Sequence, residues 1–260
     1  MGARDAEVAP LTLAHNGHVI RGHEFRPRET TADAPSVLIV HGFGDSHVGP
    51  QRLFVQVARR LADAGAVVRA YDRLGQGTSD GDFADITLRD EIDQVIVMVR
   101  AFADDRSAPV HLVAHSLGAV ESAIVAARLP DLVASVTLWS PAGVVVDDIT
   151  VKNEIQGQSL ESVAENGGFD FGGLWLGQAF IDDVRNDLDV YAEAAGYSGG
   201  PVEVLHGTAD QIVPLEYGQR YAELLPGASF TAIPGADHAW SSRQLREQLL
   251  EHLLPFLKLS

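Results

Sequence analysis

Val110-His111-Leu112-Val113-Ala114-His115-Ser116-Leu117-Gly118-Ala119 is the stretch on which the reading of this chain turns. An apolar run of strand length stops at a serine, and a helical pattern from Leu117 to Leu129 begins on its other side. A serine in so abrupt a turn presents its hydroxyl above the end of a sheet, as a nucleophile elbow does, provided that the residues two positions away are small. Ala114 and Gly118 meet that condition. The same serine could serve merely as a helix N-cap, accepting a hydrogen bond from an orphan backbone N–H. Ser116 therefore needs partners before it reads as a nucleophile.

Outward from the elbow the chain alternates strands and helices. Ser36 to Val40, Ala66 to Tyr71, Val110 to Val113 and Ser135 to Leu138 are apolar runs that suit strands buried on both faces. Helical patterns lie between them, from about Gln51 to Ala64 and from Thr87, at an N-cap position, to Ala103. Such alternation predicts right-handed crossovers and a mostly parallel sheet of about eight strands with helices on both faces. At the start, Thr12 to Ala14 and His18 to Phe25 flank Asn16-Gly17, whose access to positive φ suits a hairpin turn. After Ser140-Pro141 the regularity stops. Gly143 to Phe180 is rich in Gly, Asp and Gln and reads as a small cap inserted in a single domain spanning 1–260. It leaves from the carboxyl end of a strand, where ligands bind in open α/β sheets. Order resumes with a helix over Asp182 to Ala195, a strand over Val202 to Leu205, a helix over Leu215 to Leu225, a strand over Ser229 to Ile233 and a closing helix over Ser241 to Leu257.

With 260 residues, 46% of them hydrophobic, the chain can bury a sizeable core. A formal net charge of -17 opposes nucleic acid and anionic membranes as partners. Lysine occurs only at Lys152 and Lys258, a bias that fits genome composition or adaptation to salt. The absence of cysteine excludes disulfides, thiolate nucleophiles and thiolate-bound zinc. Arg4, Asp5 and Glu7 interrupt the region where a secretion leader would be apolar, and no run approaches a membrane span. The expectation is a cytoplasmic protein, with homodimer formation left open.

A serine hydroxyl is a weak nucleophile at neutral pH. It needs a base within hydrogen-bond reach, and the base needs a third group to hold its tautomer. Val202-Glu203-Val204-Leu205-His206-Gly207-Thr208-Ala209-Asp210 is a buried strand whose following loop presents Asp210, and Pro234-Gly235-Ala236-Asp237-His238 follows the next strand in the same way. Both loops should emerge on the edge that carries Ser116, in the chain order serine, acid, histidine. Asp237 should brace its turn, His115 should point to the far side of the elbow, and His206 and His111 suit satisfied core positions. No H-E-x-x-H or H-x-H-x-D cluster supports a metal, so a cofactor-free reaction is expected. Charge built on a substrate oxygen would be met by two backbone amides: Leu117 N–H at the helix start, and Phe43 N–H in the glycine-flanked loop after the first apolar strand.

The segments H-G-F-G (41–44), A-H-S-L-G (114–118), H-G-T-A-D-Q-I-V-P (206–214) and G-A-D-H (235–238), with D-R-L-G-Q-G-T-S (72–79), resemble the α/β-hydrolase superfamily over nearly the whole chain. The sequence departs from that superfamily's G-x-S-x-G by carrying Ala114, a variant also seen in its lipase and esterase branches. The resemblance implies the α/β-hydrolase fold and a serine carboxylester hydrolase working through an acyl-enzyme on a small-molecule ester. The cap following Ser140-Pro141-Ala142 is similar to that of the cinnamoyl or feruloyl esterases. That likeness implies small aromatic or short-chain acyl esters, with Asp148, Gln156 and Trp175 reaching the phenolic ring; Trp175 stands where that family has Tyr. A monoacylglycerol lipase or a cofactor-free perhydrolase would share every motif. A dehalogenase or epoxide hydrolase would carry Asp in place of Ser116, and a binding module of this fold would be expected to have lost a triad member.

Overall fold

The computed structural model describes residues 6–186 and 188–259. Arg4 and Asp5 of the leader reading lie outside them. The chain opens with β1 (Glu7–His15) and β2 (His18–Arg26), joined by Asn16 and Gly17 at φ 47° and 83°, the left-handed pair expected of a tight hairpin. β1 is longer than its apolar residues suggest because it is an edge strand, where Pro10 withholds its missing N–H from no ladder. Then follow β3 (Ser36–Val40), α1 (Leu53–Asp63), β4 (Val67–Tyr71), α2 (Leu88–Arg106), β5 (Val110–His115), α3 (Leu117–Arg128) and β6 (Val133–Trp139). The cap region contains α4 (Val144–Asp147), β7 (Glu154–Ile155), β8 (Gln158–Ser159), α5 (Val163–Asn166), β9 (Gly168–Phe171), β10 (Leu174–Gly177) and α6 (Gln178–Arg185). The chain closes with α7 (Val190–Ala194), β11 (Val202–Gly207), α8 (Leu215–Leu224), β12 (Ser229–Ile233) and α9 (Arg243–Phe256).

Eight strands form one sheet in the order β1-β2-β4-β3-β5-β6-β11-β12. β1, β2 and β4 pair antiparallel, and the rest pair parallel. This is the α/β-hydrolase fold. Period-two alternation divides the core into two layers. Val37 and Ile39 face α1 and α9 with Leu53, Val57, Leu249 and Leu253, while Leu38 and Val40 face α2 and α3 with Ile92, Val95, Val120 and Ile124. Each such side chain contributes about 1.5–3 kcal/mol by leaving water. β3, β4 and β11 are buried along their whole length and mostly apolar because they are covered on both sides; Arg69 and Glu203 are the charged exceptions.

Helix ends shift by a few residues from the sequence expectation, α2 running on to Arg106 and α9 starting at Arg243, and two differences have a local cause. α1 starts at Leu53 rather than Gln51, because Gln51 and Arg52 sit at φ 44° and 65°, outside helical space. The helix expected over 182–195 is two helices. α6 stops at Arg185, and α7 restarts at Asp189, whose carboxylate accepts from Tyr191 N and Ala192 N. Thr87 caps α2 as expected, its Oγ1 accepting from Asp90 N at 3.1 Å. Among the described residues no helix is long and apolar enough to cross a membrane.

Candidate active site

Ser116 lies between the end of β5 and the start of α3 at φ 57°, ψ -123°. A non-glycine residue is strained there, and neighbouring contacts must hold it. Ser116 N donates to Trp139 O at 2.9 Å, and Ser116 O accepts from Ala119 N and Ala142 N. A Cβ at Gly118 would stand 2.2 Å from His41 O, so the small residue after the serine is required by the strand-end carbonyl of β3. A Cβ at Gly42 would stand 3.0 Å from Ser116 Cβ, which shows how closely the loop after β3 approaches the elbow.

Asp210 and His238 come from the loops after β11 and β12. His238 Nδ1 lies 2.8 Å from Asp210 Oδ2, and His238 Nε2 lies 3.0 Å from Ser116 Oγ. With a carboxylate on one side, Nδ1–H donates to Asp210 and Nε2 is left to accept from the serine hydroxyl. The Asp210 side chain is fully buried, and burial alone would raise its pKa. The His238 hydrogen bond and charge, with amide bonds to Oδ1 from Ile212 N and Val213 N at 2.9 Å each, overcome that and hold Asp210 down at about 2. It is therefore a carboxylate at neutral pH. The arrangement can take the Ser116 proton onto His238 as Oγ attacks, leaving an imidazolium beside a fixed negative charge.

The histidines nearest the strands of the site have partners of their own. His206 is fully buried and donates from Nε2 to Val213 O at 2.9 Å, and His111 Nδ1 lies 2.7 Å from Ser135 Oγ. Asp237 closes its turn by accepting from Ser241 N at 2.9 Å. His115 was expected to face away from the chemistry, yet its Nε2 donates to His238 O at 2.8 Å and the two rings lie 4.6 Å apart. Burial, with the nearby His238, pushes His115 down to about 3, so it stays neutral and steadies the backbone of His238. No period or motif in the sequence signals that contact.

Leu117 N–H belongs to the first turn of α3, whose amides have no partner within the helix. Phe43 follows Gly42, beside Ser116. Its ring packs against Phe83, Phe171 and Phe180 with centroids 5.1, 5.1 and 4.8 Å away, and Leu174 sits against Gly44. Phe83, Phe171, Phe180 and Leu174 were not singled out from the sequence; the F-D-F of β9 (169–171), alternating in the manner of a strand, carried the only hint.

The three expected cap residues are not gathered there. Asp148 is buried and pairs with Lys152 Nζ at 2.7 Å. Gln156 is an exposed turn residue between β7 and β8 at φ 49°. Trp175 pairs across the β9–β10 hairpin with Asp170, whereas Phe171 pairs with Leu174. Alternation then sets Trp175 on the opposite face from the Phe171 and Leu174 side chains that reach the Phe43 loop, and it is 47% exposed, its indole against Gly168. The expectation that Trp175 stacks on a substrate ring is corrected by that pleat. No group of metal-ligating side chains occurs among the described residues.

Similarity to known proteins fits this geometry. Residues 37–248 match the Alpha/beta hydrolase family. A pimeloyl-[acyl-carrier protein] methyl ester esterase from Chromobacterium violaceum is 27% identical over 241 residues, 81% of this chain and 90% of that protein. A monoglyceride lipase homolog from monkeypox virus is 26% identical over 158 residues, 59% of this chain and 52% of that protein, so this chain spans about half the length of that relative. Est1E from Butyrivibrio proteoclasticus, solved with ferulic acid bound, superposes with a TM-score of 0.81 at 22% identity, covering 93% of this chain and 98% of that one. The matched region takes in the elbow, both loops and the loop after β3: the chain belongs to the Alpha/beta hydrolase family.

Proposed function

We propose that this protein is a cofactor-free serine carboxylester hydrolase that acylates Ser116 and releases the acyl group to water. The observation that carries the proposal is the unbroken line from Ser116 Oγ through His238 to the buried Asp210, with contacts of 3.0 and 2.8 Å. In this reading His238 accepts the serine proton as the ester carbonyl is attacked and returns it to the departing alcohol. Phe43 N–H and Leu117 N–H hold the oxyanion, and water repeats the sequence against the acyl-enzyme. The acyl group lies along the wall of Phe43, Phe83, Phe171, Phe180 and Leu174. Such a wall favours an aromatic, cinnamoyl-like acyl group or a short apolar one, because flat rings bury well against edge-on phenyls. The likeness to Est1E with ferulic acid bound supports the same class of substrate.

A fluorophosphonate probe tests the chemistry, and a panel of methyl ferulate, methyl caffeate, p-nitrophenyl esters of graded chain length and a monoacylglycerol tests the acyl class. The expected result is covalent labelling at Ser116, lost with turnover in Ser116→Ala while far-UV circular dichroism and melting stay as in the parent. Turnover retained by Ser116→Ala would overturn the mechanism. A monoacylglycerol preferred over both the methyl cinnamates and the short p-nitrophenyl esters would overturn the substrate class alone.

A further inference from the structure

Beneath the loop after β3 lies a buried charge that the triad does not use. Arg73, 1% exposed, follows β4 and extends its guanidinium under His41 and Gly42. Nη1 donates to His41 O at 2.8 Å and Nη2 to Gly42 O at 2.9 Å. Two buried carboxyl groups hold it from behind: Nε donates to Glu91 Oε1 at 2.9 Å, and Nη1 lies 3.1 Å from Glu121 Oε2. Burial, against the pull of Arg73 and with Glu91 close by, pushes the Glu121 carboxyl well up from its ordinary value. Gln76 Nε2 also donates to Glu91 Oε1.

The second carbonyl is the informative one. Gly42 O belongs to the same peptide unit as Phe43 N–H, the amide assigned above to the oxyanion. That carbonyl is hydrogen-bonded twice, by Arg73 Nη2 and by His41 Nδ1 at 2.8 Å. His41 can donate there because its Nε2 accepts from Arg73 N at 3.2 Å, and because burial, with Arg73 nearby, drives its pKa well down. Hydrogen bonds to the oxygen of an amide draw electron density from its nitrogen and strengthen its N–H as a donor. A cation makes the larger contribution, and the planar fork of arginine fixes two successive carbonyls at once.

We propose that Arg73 is a positioning residue that acts through the Gly42–Phe43 peptide, aligning and polarising the amide that binds the oxyanion. The role rests on the serine hydrolase reading and on Phe43 as an oxyanion donor. It would be felt where negative charge develops and hardly at all in the substrate complex. Deleting an oxyanion donor outright lowers kcat by about 10²–10³, and weakening one should cost less.

Arg73→Lys keeps the charge but cannot fork to both carbonyls. The expected result is a fall in kcat of about 10- to 100-fold with KM within about twofold of the parent. A reversible aryl trifluoromethyl ketone, whose hemiketal with Ser116 places an oxyanion at the same amides, should bind more weakly by the same factor. If Arg73→Lys does not fold, the double variant Arg73→Met with Glu91→Gln, which removes the guanidinium together with the carboxyl that its Nε donates to, carries the same readouts. Unchanged kcat and ketone affinity in a folded variant would overturn the role, as would a lower kcat with unchanged ketone affinity, since that marks damage elsewhere. A parent enzyme that neither labels nor turns over esters would instead overturn the hydrolase reading itself, and this inference with it.

Discussion

Asp210 with His238 and Asp72 with His47 form the same pair at two places in this molecule. In each, histidine Nδ1 meets a fully buried aspartate oxygen, at 2.8 Å in one and 2.7 Å in the other, and each aspartate is held down at about 2 against the effect of burial. They part at the far nitrogen. His238 Nε2 faces Ser116 Oγ at 3.0 Å, whereas His47 Nε2 faces His23 Nδ1 at 2.9 Å, with the rings stacked 4.8 Å apart. The aspartates part as well. Asp210 takes its amide bonds from Ile212 and Val213 of its own loop, whereas Asp72 receives Thr78 N at 2.7 Å and His47 N at 2.6 Å, tying the loop after β3 to the loop after β4. An acid–histidine pair can therefore simply fasten loops at a sheet edge, as Asp72 and His47 do. It becomes chemistry only where the far nitrogen meets a nucleophile on a strained turn.

Replacing each acid by its amide separates the two most widely. Asp210→Asn should lower kcat by about 10⁴ by favouring the wrong tautomer of His238, with the fold retained. Asp72→Asn turns an amide donor toward Thr78 or His47 and should cost about 1–3 kcal/mol of stability while kcat stays within about tenfold. Steady-state kinetics beside thermal melts decides it. A larger kcat loss in Asp72→Asn than in Asp210→Asn would reverse the assignment of the two pairs.

Acid titration shows what the pairs share. Both folded aspartates sit near 2, below the ordinary value of 3.8. As pH falls the unfolded chain takes up these protons first, so the stabilisation is fully present above about pH 4 and drains away toward about pH 2. Each Asn variant should lose about one proton's worth of the acid slope in denaturant melts between those limits. An unchanged slope in both would mean that neither acid is held down by its histidine.

How much of this was legible follows from distance along the chain. Ser116, Asp210 and His238 each sit in a short loop after an apolar strand, so the strand pattern placed all three on one edge. The cap gave no such guide. Whether Trp175 faces Phe43 or solvent depends on the register of the four-residue strands β9 and β10, and a slip of one residue reverses it. The Arg73 fork, the His115 bond to His238 O and the His47 link to Asp72 join residues at the ends of different strands. Motif letters mark those loops, but the bonds depend on packing that no local pattern encodes.

The finest contrast is between Ser116 and His23, which occupy equivalent places on the far nitrogens of the two histidines. Removing Ser116 should end turnover and leave the melting temperature nearly unchanged, because its strained backbone is held by amides and not by Oγ. His23→Ala should do the reverse. The buried His47 would lose the partner of its Nε2, held from the half-buried His23, a loss of about 0.5–1.5 kcal/mol and so a few degrees of melting temperature at this chain length. Oxyanion binding would stay intact, because Asp72 still receives His47 N and Nδ1 and keeps the loop after β3 in place. A His23→Ala enzyme with parental melting but a kcat more than tenfold lower would show that the second pair reaches the chemistry through that loop.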